Sequence, residues 1–96
     1  MRKTNTQPLK EVIDSFLESS KVGRKMAELD IIKAWEENMG SMIANRTDKI
    51  FVKDKVLHVH LNSSTLRNEL SFAKQKIIDT LNEQAGKEVI TEVVLK

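Results

Sequence analysis

"IFVKDKVLHVHL", residues 50–61, decides how this chain folds. Aliphatic side chains recur at every second position on both sides of Asp54-Lys55, the period of a half-buried strand. A two-residue turn at Asp54-Lys55 pairs Val52 with Leu57 and Ile50 with Val59. Ile50, Val52, Leu57, Val59 and Leu61 then share one face. A register shifted by one residue scatters them, so burial selects this one. Asp suits such a turn, whereas Lys55 stands where glycine is usual. Phe51, Val56, His58 and His60 fall on the reverse.

Working outward, the residues after the hairpin read as a helix start. Ser63 or Ser64 can cap it, a side-chain oxygen accepting from a free backbone N–H. The third helix of the chain spans Ser64 to Gln84, with Leu66, Leu70, Ala73, Ile77 and Leu81 as its stripe. Gly86 is placed as the residue just past its end. A last strand runs from Val89 to Leu95. Val89, Val93 and Leu95 fit the core phase, which puts Ile90 and Val94 on the reverse face.

Upstream, a second helix runs from about Arg24 to Asn45 with Ile32, Trp35, Met39, Met42 and Ile43 on one face. Gly40 lies inside it and implies either a kink or close approach of another backbone; the apolar face continues past it, which favours close approach. Residues 1–8 form a flexible tail. Pro8 opens a first helix carrying Leu9, Val12, Ile13, Phe16 and Leu17 at helical spacing, which stops near Ser19-Ser20 with Gly23 at the joint. Phe72 lies opposite the third helix's stripe; cover by the first helix is favoured over exposure to a partner. The order ααββαβ predicts one α+β domain over residues 9–96, a three-stranded sheet with helices packed on one face.

Bulk properties narrow the function. A 96-residue chain supports one modest core, which leaves little room for a large enzyme cleft. There are no cysteines, no apolar run of membrane-spanning length and no secretory h-region, so the cytoplasm is expected. Sixteen basic against fourteen acidic residues is a slight lean toward polyanions. His58 and His60 project from one side of a strand, but no further ligand stands at a telling spacing, so no metal is expected. No nucleophile elbow, Gly-rich phosphate loop or Ser–His–Asp set is visible, so neither an enzyme nor a cofactor is expected.

Three features invite a partner. Ser64, Thr65 and Arg67 at the helix start suit a phosphate beside its free N–H groups, or serve the cap alone. Lys49, Lys53 and Lys55 of the hairpin can meet a nucleic-acid backbone. The reverse of the sheet, with Phe51, His58, His60, Ile90 and Val94, is too apolar for plain exposure: it can stack bases, or it can be a protein contact, to which Phe72 adds if uncovered. One alternative function is therefore a module that homodimerises through the open sheet face and has no DNA role.

Several runs, in order along the chain, resemble one family. "IIKAWEENMGSMIANRT" (31–47) is similar to its Ala-Trp helix with a following Gly and Thr. "IFVKDKVLHVHLNSSTLRNELSF" (50–72) resembles its hairpin, double serine and Glu-Leu. "IIDTLNEQAGKEVITEVVL" (77–95) resembles its Leu-Asn, Gly-Lys-Glu-Val and final strand. Together these resemble the DciA-like proteins, formerly a domain of unknown function, from about Leu9 to Leu95. The resemblance implies a KH-like α+β domain that binds single-stranded or forked DNA and the replicative DnaB-type helicase, and helps load it without ATPase activity. Longer members carry a flexible C-terminal extension that helps engage the helicase, whereas this chain ends at Lys96, which suggests a short single-domain member. The GXXG loop of true KH modules is absent, so KH-style RNA reading is not expected. Thr65-Leu66 stand where relatives often place an aromatic.

Overall fold

The computed structural model describes residues 9–13, 15 and 20–96. Its centre is the hairpin of β1 (Thr47–Lys53) and β2 (Val56–Leu61), antiparallel, with Val52 opposite Leu57 and Ile50 opposite Val59. Burial thus selects the expected register. Asp54 and Lys55 both take left-handed backbone, φ 53° and 65°, the conformation that matches the twist of a two-residue hairpin. Leu57, Val59 and Leu61 are buried, and Ile50 and Val52 pack on the same core. The ladder shifts between Thr47 and Lys49, and the exposed Asp48 accepts from Asn62 Nδ2 at 2.8 Å.

A third strand, β3 (Glu92–Leu95), lies parallel to β2, so the sheet is mixed with order β1-β2-β3. Parallel neighbours need a crossover. Here the crossover is the segment between Ser64 and Ala85. It is not the single helix expected. A seven-residue helix (Ser64–Leu70) leads through a 3₁₀ turn (Ser71–Ala73) into a longer helix (Lys74–Ala85). Ser71 Oγ donates to the Asn68 carbonyl, one of the local bonds by which serine competes with helix geometry, and Ala73 departs to φ −123°, ψ 21°. Of the expected stripe, Ile77 and Leu81 are buried, joined by Ile78, while Leu66 and Leu70 pack at the margin. Gly86, at φ 82°, closes the helix end as expected, its N–H and that of Lys87 meeting the Glu83 and Asn82 carbonyls.

The last strand starts at Glu92 rather than Val89. Asn82 claims the preceding backbone: its Oδ1 accepts from Val89 N and Ile90 N at 2.9 and 3.0 Å, and its Nδ2 donates to the Ile90 carbonyl at 2.8 Å. Strand alternation therefore does not reach Ile90. That residue is fully buried in the core, not on the reverse face where parity placed it. Val93 is buried and Leu95 packs beside it, as expected.

The long helix α1 (Lys21–Asn45) is capped by Ser20, whose side chain accepts from Gly23 N at 2.9 Å. Gly23 is thus buried within the first turn, not a joint between helices. Ala27, Ile31, Ala34 and Trp35 face the core, with Met39 and Ile43 at its edge. Ile32 is only half-buried and Met42 is exposed, against expectation. Gly40 explains the second: at φ 87°, ψ 163° it leaves helical geometry and resets the phase of residues 41–45. A Cβ built there meets nothing within 4 Å, so no backbone approaches it closely and the glycine is there for a kink. That conformation is close to glycine-only. Trp35 Nε1 donates to Thr47 Oγ1 at 3.2 Å, and that hydroxyl donates to the Ile43 carbonyl at 2.9 Å, fastening the end of α1 to β1.

Residues 9–13 and 15 are helical, with Leu9, Val12 and Ile13 exposed. Phe16 and Leu17 of the expected stripe, and the expected tail at 1–8, lie outside the described residues. Phe72 is 84% exposed, so the expected cover by the first helix is not found. The result is an α+β domain in which α1 and the two crossover helices share one face of the sheet.

Candidate functional site

The reverse of the sheet follows from strand parity. Lys49, Phe51 and Lys53 point the same way along β1, and their partners across the ladder are His60, His58 and Val56. The Phe51 ring stacks on the His58 imidazole, centroids 4.7 Å apart and 8° from parallel. His60 sits 6.2 Å away at 35°, and the Lys49 ammonium lies 5.3 Å above the Phe51 ring, a cation–π distance. Val94 lies beside His58 on β3. Phe51, Val56, His58, His60 and Val94 are all half-buried, and none belongs to the core cluster. His58 Nδ1 is buried without a hydrogen-bond partner. The face is therefore a cationic and aromatic strip.

Lys53 and Lys55 are exposed at the hairpin tip, and no ion pair among the described residues neutralises them or Lys49. The helix-start group lies at the other end of β2, about 17 Å away along five strand residues. There Ser63 is the cap, accepting from Leu66 N at 3.2 Å, and Ser64 and Thr65 are exposed. Arg67 is half-buried and donates from Nη1 to the Leu61 carbonyl at 2.8 Å, tying the helix to the end of β2. The structure thus brings Lys49, Phe51, Lys53, His58, His60 and Val94 together. It sets Ser64, Thr65 and Arg67 apart at the far end, removes Ile90 to the core, and leaves Phe72 exposed on the 3₁₀ turn.

Sequence reasoning missed a cleft of about 510 Å³ between the start of α1, the hairpin tip and the segment before β3. Gly23, Ala27, Val52 and Val89 give its apolar lining; Arg24, Lys55 and Lys87 stand against Glu28, Asp54 and Glu88 around it. Three separated segments form it, and no local pattern announces such a place. Among the described residues no group of three or more His, Cys, Asp or Glu is arranged to hold a metal ion, and no helix is long and apolar enough to cross a membrane.

A mixed sheet covered on one face, with an aromatic and cationic reverse, makes this a small α+β domain. Its sequence matches the family described as "Dna[CI] antecedent, DciA" over residues 8–95, and the chain belongs to that family, one related to replicative helicase loading. A UPF0232 protein of Corynebacterium glutamicum (strain R) is 26% identical over 87 residues, covering 91% of this chain and 49% of that protein. The chain spans about half the length of that curated relative.

Proposed function

We propose that this chain is a non-enzymatic, cytoplasmic adaptor of bacterial DNA replication that binds DNA and the replicative DnaB-type helicase and promotes its loading. The family match over residues 8–95 carries this reading. The arrangement of the sheet's reverse supports a division of labour. Lys49, Lys53 and Lys55 hold the phosphate backbone of single-stranded or forked DNA. Phe51, His58, His60 and Val94, with Phe72 on its turn, dock on a helicase subunit. Ser64, Thr65 and Arg67 extend the phosphate track at the far end of β2. Because the cations meet phosphate and not base edges, binding is sequence-neutral and weakens with salt.

Fluorescence anisotropy with short single-stranded and forked DNA tests this. The three hairpin lysines alone predict roughly twentyfold weaker single-strand binding between about 50 and about 200 mM salt. The triple reversal Lys49→Glu, Lys53→Glu, Lys55→Glu removes that dependence together with the binding. Arg67 is left out of the triple, since its bond to the Leu61 carbonyl makes it part of the fold. Co-purification with the replicative helicase, lost in Phe51→Asp, tests the protein contact. The rival reading, a homodimer through the open sheet face, draws on the half-buried Phe51, His58 and Val94. It predicts that Phe51→Asp turns a dimer into a monomer and that the lysine reversals change nothing.

A further inference from the structure

The reverse of the sheet resolves into rows that run across the strands. Each strand supplies one residue to a row, and partners across a ladder share a face. The row at the hairpin tip is Lys53, Val56 and Glu92; the next is Phe51, His58 and Val94. The row after that is completed just past the end of β3. Lys96 N–H donates to the Val59 carbonyl at 2.8 Å, and Leu61 N–H donates to the Lys96 carbonyl at 2.7 Å. These two bonds bracket His60, as the slanted bonds of a parallel pair do. The third row is therefore Lys49, His60 and Lys96.

The three rows differ in the charge at their edges. The tip row has a cation at one edge and a carboxylate, Glu92, at the other. The middle row has an aromatic ring at one edge and Val94 at the other. The third row has a lysine at both edges, about 10 Å apart across two strand spacings. Both lysines are exposed, and neither is ion-paired among the described residues. The backbone of Lys96 lies in the sheet, its carbonyl taken by Leu61 N–H, while its side chain stands on the reverse face beside His60. Asp48, next to Lys49 in sequence, is engaged by Asn62 Nδ2 at 2.8 Å. A phosphate backbone that crosses the sheet therefore meets a cation at each edge over this row. Over the tip row it meets Glu92. The third row also lies at the Leu61 end of β2, toward Ser64 and Thr65.

We propose that the phosphate backbone of single-stranded DNA crosses the sheet from Lys49 to Lys96, and that Lys96 is a phosphate contact on a par with the hairpin lysines. The inference rests on the DNA reading above and adds to it a residue and a direction. The strand leaves β1 at Lys49 and passes over His60 toward the β3 edge. The middle row, with Phe51, His58 and Val94, stays free for a protein partner.

Fluorescence anisotropy of the whole chain with a labelled single-stranded oligothymidylate, over a series of salt concentrations, reads the contact. Lys96→Gln weakens binding several-fold and flattens the slope of log affinity against log salt by about 0.7, the same change as Lys49→Gln. Lys33→Gln makes an equal change in net charge on α1, on the other side of the sheet, and leaves affinity and slope at their wild-type values. All three lysines are exposed, so the variants keep the wild-type circular dichroism spectrum. A wild-type slope and affinity in Lys96→Gln, with Lys49→Gln flattened, overturns the crossing and leaves the DNA reading standing. An equal loss in Lys33→Gln overturns it too, because net charge alone then accounts for the effect. A wild type that does not bind the oligonucleotide, or binds it without salt dependence, overturns the DNA reading and the crossing together.

Discussion

The two faces of the sheet are made from alternate residues of the same strands, yet they have opposite chemistry. One carries Leu57, Val59, Leu61 and Val93, buried and purely aliphatic under α1 and the Lys74–Ala85 helix. The other carries Phe51, His58, His60 and Val94, half-buried, with two lysines interleaved on β1. The first is the kind of surface that only burial rewards. The second carries stacked rings with a lysine ammonium over one of them, on a face that contributes nothing to the core cluster. Stability is thus expected to reside on one side and recognition on the other, and each substitution below sets one side against the other.

The largest contrast lies at the strand that misled sequence parity. Ile90→Lys puts a charge into a site with no exposed surface and no partner, and the domain loses on the order of 4 kcal/mol or more. Val94→Lys, on the open face, is tolerated within about 1 kcal/mol. Thermal denaturation of the two variants side by side decides it; equal losses mean that the reverse is closed by something else. Next is the pair Leu57→Ala and Phe51→Ala. Leu57 is fully buried, and its truncation costs about 3 kcal/mol by urea unfolding. Phe51 is half-buried and gives up mainly its stacking on His58, about 1 kcal/mol. A Phe51 cost as large as that of Leu57 makes the reverse a second core and removes the grounds for treating it as a binding surface.

The hairpin was legible because everything that sets it is local: a period of two, a two-residue turn, and one register that gathers the aliphatics. The same parity failed at Ile90 because alternation holds only inside a strand, and Asn82, eight residues earlier on a helix, holds that backbone out of the sheet. The break at Ser71–Ala73 and the phase change after Gly40 were hidden by apolar residues that keep helical spacing on both sides. Of the candidate site, the lysines and rings of β1 and β2 could be read from the strands, and they do converge. The use of Arg67 on the Leu61 carbonyl, and the cleft beside the hairpin tip, depend on how distant segments meet, which no local pattern encodes.

The smallest effect separates the two roles most cleanly, because it moves them in opposite directions. Lys55 holds φ 65°, a left-handed conformation that costs a residue with a Cβ about 1–2 kcal/mol. Glycine removes that cost but brings back about 0.5–1 kcal/mol of unfolded-state entropy. Lys55→Gly is therefore expected to stabilise the domain by about 0.5–1 kcal/mol, a rise of a few degrees in Tm. The turn sets the register of both faces at once, so the buried side and the open side are held equally well. DNA affinity should nevertheless fall, and its salt slope flatten by about 0.7, because one of the three hairpin cations is gone. Affinity that rises with the melting temperature ties binding to the rigidity of the turn; affinity that falls while the protein melts later ties it to charge, as the division between the two faces requires.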